Sequence, residues 1–327
     1  MNLVRRGFCL AAACLMLLAT TANTQEASYP SGTVKVIVPF SAGGTADIFG
    51  RMVAEHLNKT WGQPFVVENV GGAGGVLGVS QLARAEPDGQ TLGLASTSSL
   101  AITPSLPGAK VPYRPLEDLA PIAQISIVPN VLVVNPERIG ARTVPELIDH
   151  LKANPDTVTF GSAGVGTSQH LAGELFQQLT GTKMVHVPYK GSSQMVTDLI
   201  GGQIDLAFDN VPLLLPHVKA GKLNMLATAT AERAAFDPSV PAVAEFVPGF
   251  EAVAWHGFLA PAGTPKPVLD KLSAEIQAFM RRPETVQKFQ ELGAVAVATS
   301  PEAFAEHIAA ETERWQGVIA QAGIKTE

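Results

Sequence analysis

Four stretches place small, hydroxyl and amide residues where the chain changes direction. They are Ser41-Ala42-Gly43-Gly44-Thr45, Ser96-Thr97-Ser98-Ser99, Gly161-Ser162-Ala163-Gly164-Val165-Gly166-Thr167-Ser168 and Asp209-Asn210. None supplies an activated nucleophile: there is no G-x-S-x-G elbow, and the glycines around Ser162 have the wrong spacing for one. The seven histidines contain no H-E-x-x-H and no pair at i, i+4, so metal-assisted hydrolysis lacks its ligands. Gly72, Gly74 and Gly78 miss the G-x-G-x-x-G spacing by one residue, and no Gly-Lys-Ser/Thr follows for a P-loop. The chemistry left is recognition of an anion by backbone. Gly43 and Gly44 have no Cβ, so the chain can turn sharply there and approach a ligand closely. The first amides of a helix starting just after them have no intrahelical partner and carry the positive end of the dipole.

Several side chains near these turns have two readings each. Asp47 either complements the helix dipole and ties down the Gly43-Gly44 turn, or meets a ligand amine or excludes a second negative group. Thr97 and its serine neighbours, Thr167 and Ser168 cap helices or hydrogen-bond a ligand, and the two roles are compatible. His170 lines a cleft or holds the first turn of its helix. Asp209 shares the ambiguity of the hydroxyls. One helix terminus favours an anion by roughly 0.3–1 kcal/mol when exposed and up to ~2 when partly buried. Hydrogen bonds to a charged group add ~1.5–3 kcal/mol each, and micromolar affinity requires ~8 kcal/mol. A handful of amides can therefore hold one carboxylate without Arg or Lys.

The elements that position these turns alternate in type. Val34, Val36, Ile37 and Val38 form a β-branched run for a buried strand over residues 34–40. Ile48, Phe49, Met52, Val53 and Leu57 then recur at helical spacing from about residue 46. Further strands are expected over 64–68, 91–95, 125–127, 131–134, 157–160, 184–187, 204–208, 223–228 and within 249–260. Helices are expected over 76–85, 144–153, 168–179, 192–200, 267–292 (broken near Pro283) and 301–322. Strand, glycine-rich turn and helix occur at residues 34–57 and again at 157–179, each opening its own α/β run. Two such lobes aim helix N-termini at a shared cleft, at the carboxyl ends of their strands.

At 327 residues the chain has length for two domains, and its low charged share of 16% marks a well-cored globular protein. Residues 1–27 read as a cleavable signal peptide: Arg5 and Arg6 form the positive region, 8–18 the apolar one, and cleavage falls so that the mature chain starts between 23 and 28. The general secretory route is preferred to the twin-arginine route that Arg5-Arg6 also allows, and a lipoprotein at Cys14 is a minor alternative. Cys9 and Cys14 both lie in this leader, so the mature chain has no disulfide and no cysteine metal site. No cofactor is expected. No basic block follows, which argues against nucleic acid as a partner, and no later apolar run approaches membrane-spanning length.

A wider set of residues carries a resemblance. It comprises Tyr29-Pro30, Val36-Ile37-Val38-Pro39-Phe40-Ser41-Ala42-Gly43-Gly44 with Asp47 and Arg51, Val67-Glu68-Asn69 with Gly72-Ala73-Gly74-Gly75, and Pro87-Asp88-Gly89. Gly161-Ser162-Ala163-Gly164 with Ser168 and His170, Val187-Pro188-Tyr189-Lys190-Gly191, Trp255-His256-Gly257, Ala260-Pro261-Ala262-Gly263-Thr264-Pro265 and Trp315 complete it. In order and over residues 28–327, the chain closely resembles the Bug family, the substrate-binding receptors of tripartite tricarboxylate transporters. The resemblance implies an α/β, two-lobe periplasmic binding fold of type II kind, each lobe a mixed sheet flanked by helices, with the ligand cleft between them. Lobe 1 would comprise 28–124 plus 251–327, and lobe 2 would comprise 125–250.

The family's ligands are small organic carboxylates, including mono-, di- and aromatic acids and acidic amino acids, delivered to integral membrane permease subunits. The carried-over ligand loops are Phe40, Ser41, Ala42, Gly43 and Gly44 in lobe 1, and Ser162, Ala163, Gly164, Gly166, Thr167 and Ser168 in lobe 2. With Asp47, Thr97, His170 and Asp209 these make the candidate site. No Arg or Lys lies in either loop, so a tricarboxylate is not specially indicated. The expected function is a periplasmic, non-enzymatic receptor. A sensor feeding a membrane histidine kinase, or a secreted enzyme using Asp47 and His170, are the rivals.

Overall fold

The opening strand and helix show how apolar spacing becomes structure. Strand β1 (Val34–Val38) is buried over nearly its whole length, as its β-branched run requires. Helix α1 (Thr45–Trp61) turns Phe49, Val53 and Leu57 inward, and Phe49 stacks on Phe289 at 4.5 Å between centroids. Burying a side chain of that size contributes about 1.5–3 kcal/mol. Gly43, at φ +78°, makes the turn between them in a conformation that few other residues adopt.

A computed structural model describes residues 29–324. The leader read over residues 1–27, with Cys9 and Cys14, lies outside the described residues. After α1 come β2 (Phe65–Asn69), a short turn at Ala73–Gly75, α2 (Val76–Ala83) and β3 (Thr91–Ser96). Strand β4 (Leu119–Val134) leads to α3 (Val144–Ala153), β5 (Thr159–Ser162), α4 (Ser168–Thr180), β6 (Val185–Pro188), α5 (Ser192–Ile200), β7 (Leu206–Asn210), α6 (Val211–Lys219) and β8 (Asn224–Thr228). The chain returns through β9 (Val253–Pro261) to α7 (Lys266–Met280), α8 (Pro283–Glu291), β10 (Val295–Ala296) and α9 (Pro301–Ala322).

The strands follow one hydrogen-bonded path, β2-β1-β3-β9-β4-β7-β5-β6, with β8 and β10 also pairing β4. Two parallel trios, β2-β1-β3 and β6-β5-β7, flank the antiparallel pair β9 and β4. In each trio the middle strand, β1 or β5, feeds a glycine-rich turn and then a helix, so the echo seen in the sequence is a repeated piece of topology. Helices cover the sheet, and the architecture is mixed α/β, with the two parallel trios on either side of the central antiparallel pair.

Strand β4 joins the two halves. Residues up to Pro129 pair with β9, and Asn130 to Val134 pair with β7 and β8. Separate strands at 125–127 and 131–134 were expected, and they are one strand. The register slips between Pro121 and Ala123 and again between Gln124 and Ser126, and such irregularities let a strand accommodate residues that break a regular ladder. Helix α6 has no counterpart in the sequence reading. Pro212 sits at its first turn, where a missing N–H costs nothing, but with Pro216 inside the helix the segment reads as a loop. Strand β5 falls two residues later than expected, because the small residues Gly161 and Ser162 pair in the sheet instead of starting the loop.

Candidate functional site

Four helices begin at one place. The starts of α1 (Gly44, Thr45, Ala46), α4 (Ser168, Gln169), α5 (Ser192) and α6 (its N-cap Asn210) line a single cleft with Phe40, Ser96, Ser98, Ala163, and Ala254 and His256 of β9. The space enclosed is ≈ 30 Å³, within a void of ≈ 380 Å³ that reaches solvent. By the ~10–15 Å³ that a water centre occupies, the enclosed part has room for only a few waters in this arrangement. Every one of these helices follows the carboxyl end of a strand, the place where open α/β sheets bind ligands.

The electrostatics come from backbone. No Lys, Arg, Asp or Glu is among the lining residues. His256 adds no positive charge: burial pushes it down to about 4, and its Nδ1 is 3.0 Å from Ser126 Oγ. Gly44, Gly191 and Asn210 precede α1, α5 and α6 without a side-chain cap, so the first amides of three helices are left to other partners. Only α4 is capped, by Thr167 Oγ1 accepting from the His170 amide at 3.3 Å. Two hydroxyls add to this donor set. Thr45 Oγ1 and Ser96 Oγ are buried, with no hydrogen-bond partner in the protein, although their residues are only 5% and 3% exposed. An unpaired buried polar atom costs about 1–3 kcal/mol, a cost that a bound acceptor removes.

The two halves touch around the cleft. The Ser168 amide donates to Ser98 Oγ at 3.2 Å, Thr103 Oγ1 donates to the Gly166 carbonyl at 3.1 Å, and Ser193 Oγ donates to the Ala42 carbonyl at 2.7 Å. The loop after β5 thus meets the segment after β3, the loop after β1 meets the start of α5, and residues of both loops line the cleft.

Of the residues expected in the site, Phe40, Gly44, Ala163 and Ser168 line the cleft. The others stand behind it. Ser41, Ala42 and Gly43 form the turn, and the Gly43 amide donates to Asp47 Oδ2 at 2.9 Å. Asp47 also accepts from Arg51 Nε at 3.0 Å and Asn69 Nδ2 at 2.9 Å. Burial alone would raise its carboxyl, but these donors and the Arg51 charge hold it below the usual carboxylate range. Its oxygens thus face the turn, which corresponds to the first of its two readings.

In the second loop, Ser162 Oγ lies 2.7 Å from His186 Nε2 and accepts from the Gly164 amide, while Thr167 Oγ1 donates to the Gly164 carbonyl at 2.7 Å. His170 Nδ1 accepts from the Gly166 amide at 3.3 Å, and its ring stacks on His186 at 4.2 Å. Burial pushes His170 down to about 3 and His186 to about 4, so both rings are neutral supports of this loop. Thr97 Oγ1 accepts from the Trp255 amide at 2.8 Å and fixes β9 against the end of β3. Asp209 lies behind Gln169, Ser192 and Asn210, with which it is hydrogen-bonded.

Thr45, Ala46, Gln169 and Ser192 line the cleft but were not in the expected set. Their signal was positional, since each is a first or second helical residue after a strand. Asn210 was picked out beside Asp209 in the sequence, although α6, whose N-cap it is, was not recognised. Ala254 and His256 alternate along β9 and carry no local mark.

The model of the tripartite tricarboxylate transporter family receptors matches residues 49–324. The solved structure of R. palustris Rpa4515 with adipate is similar with a TM-score of 0.88 at 34% identity, over 91% of this chain and 99% of that one. The periplasmic binding protein BugD gives 0.87 at 33%, over 91% and 100%. MatC (Rpa3494) from Rhodopseudomonas palustris with bound malate gives 0.84 at 30%, over 89% and 100%.

Proposed function

Because the chain belongs to the tripartite tricarboxylate transporter receptor family, the Bug family of solute-binding receptors rather than enzymes, we propose that it captures a small organic carboxylate in the periplasm and delivers it to the permease subunits of such a transporter. The observation that carries this reading is the convergence of four helix N-termini, three of them uncapped, on a cleft with two unpartnered hydroxyls and no charged side chain. A carboxylate satisfies amides from both sides at once, so it favours the closed arrangement by its differential contacts there. Adipate in Rpa4515 and malate in MatC support the ligand class.

The lobe division, 28–124 plus 251–327 against 125–250, belongs to the same proposal. It is supported by β4 changing partners after Pro129 and by β9 returning from Val253. The proposed ligand contacts are the lining residues, with the turn residues around Gly43 and Gly164 shaping the two loops. Export through the leader over 1–27 accounts for the periplasmic location, and no helix of the described residues is long and apolar enough to cross a membrane.

The test is a thermal-shift and calorimetric screen with adipate, malate, monocarboxylates and aromatic acids, each beside its neutral amide. A ligand that binds only the folded state raises the melting temperature. Stabilisation by acids and not by amides is expected. Equal stabilisation by both would overturn the anion reading.

A further inference from the structure

Asp209, the penultimate residue of β7, has no solvent exposure. Its Oδ1 accepts three hydrogen bonds: from Gln169 Nε2 at 2.9 Å, Ser192 Oγ at 2.9 Å and the Asn210 amide at 2.7 Å. Those residues stand at the starts of α4, α5 and α6 and all line the cleft, so one carboxyl group gathers three of its four helix ends. Its Oδ2 is equally buried and has no partner.

An ionised Asp209 would leave a bare negative oxygen immediately behind a site built to take an anion. Two buried carboxylates that close cannot both ionise cheaply, and a shared proton removes the conflict. A protonated Oδ2 becomes a donor and keeps Oδ1 as the acceptor of all three existing hydrogen bonds.

We propose that Asp209 takes up a proton when the cleft takes up its carboxylate, so that capture is proton-linked and tightens as pH falls. This rests on the anionic ligand proposed above. Burial pushes the Asp209 carboxyl up to about 6 before any ligand arrives, so it is largely ionised in the free protein at neutral pH, and a second negative charge raises it further. No other titratable group sets this value. Strands β4 and β5 carry none; His170 and Glu174 on α4, Asp198 on α5 and His217 and Lys219 on α6 are the titratable residues of the packed helices, and burial and the three hydrogen bonds alone govern Asp209. Asp209 is a positioning residue here, acting on ligand through Gln169, Ser192 and Asn210.

The experiment is calorimetric titration of the mature protein with adipate and with malate at pH between about 6 and 8, in buffers of different ionisation enthalpy. Linkage predicts proton uptake approaching one per site near pH 7–8, and affinity falling by up to about tenfold per pH unit above 6. Asp209→Asn keeps the Oδ1 acceptor and places a permanent donor at the other position. It is expected to bind at pH 8 as tightly as the wild type does at pH 6, with no buffer dependence. Wild-type binding with buffer-independent heat would overturn the proton link and leave the receptor reading intact, as would proton release. Uptake that persists in Asp209→Asn would assign the proton elsewhere and also overturn it. No heat with either acid would count against the carboxylate reading and this inference together. If Asp209→Asn does not fold, the wild-type buffer series decides alone.

Discussion

The amide nitrogen of Ser168, at the start of α4, lies 3.2 Å from Ser98 Oγ, just after β3, and both also line the cleft. A contact across the cleft and the proposed ligand surface therefore share the same few residues. A solute held there need only add contacts to an arrangement the protein already forms, which is the condition for ligand to shift a pre-existing equilibrium. Ser98→Ala removes the latch without touching the core. A net hydrogen bond of about 0.5–1.5 kcal/mol predicts roughly two- to tenfold weaker carboxylate binding by calorimetry, with the fold unchanged by circular dichroism.

Gly74 tests whether close approach of the lobes is required. It adopts φ +62°, and a Cβ there would stand 2.6 Å from the Val165 carbonyl oxygen in the loop after β5. Gly74→Ala is expected to obstruct closure and to weaken binding more than it lowers the ligand-free melting temperature. Gly43→Val, at φ +78°, is expected to weaken binding severely by distorting the turn itself. Unchanged affinity in Gly43→Val would remove the backbone cradle from consideration.

Thr45 and Ser96 separate binding from stability. Their hydroxyls have no partner in the protein, so Thr45→Val and Ser96→Ala relieve a buried unpaired atom in the free state and delete a donor in the bound state. At about 1.5–3 kcal/mol for a hydrogen bond to a charged group, each variant is expected to lose roughly 10- to 150-fold in affinity. The ligand-free melting temperature should hold or rise. A variant that loses stability and keeps its affinity would show that the hydroxyl serves the fold and not the ligand.

Acid stability follows from three buried histidines. Burial holds His170 near 3, and His186 and His256 near 4, below the unfolded value of about 6.5. Between those limits the unfolded chain binds more protons than the folded one. Their contribution is therefore fully present above about 6.5 and is lost as pH falls towards 4. Asp209 works the other way, since its folded value near 6 lies above the unfolded one, and its contribution is lost as pH rises through 6. The histidines outnumber it, so the melting temperature should drop from pH 6.5 to 4.5. His256→Gln should flatten part of that drop.

The amino-acid pattern revealed local units well and their assembly poorly. The turn after β1 and the loop after β5 stood out, because Gly43-Gly44 and residues 161–168 interrupt strong apolar periodicity, and both do face the cleft. Helix α9 was legible at both ends, with Ser300 before Pro301 at its start and a left-handed Gly323 after it. Helix α6 was not, because Pro212 and Pro216 suppress the helical signal, so Asn210, though picked out beside Asp209, was not seen as its N-cap. The unbroken course of β4 past Pro121 and Pro129 was hidden for the same reason, although that strand joins the two halves of the sheet. Ala254 and His256 reach the cleft only through antiparallel pairing of β9 with β3 and β4, a long-range relation that no local spacing encodes.

The most direct measurement is a crystal structure with adipate or malate bound. One carboxylate should lie within about 3 Å of the first amides of α1 and of at least one lobe-2 helix start, with Thr45 and Ser96 hydroxyls in reach and no Lys or Arg nearby. A ligand seated against a basic side chain, or bound outside the space between Gly44 and Ser168, would contradict capture by helix N-termini.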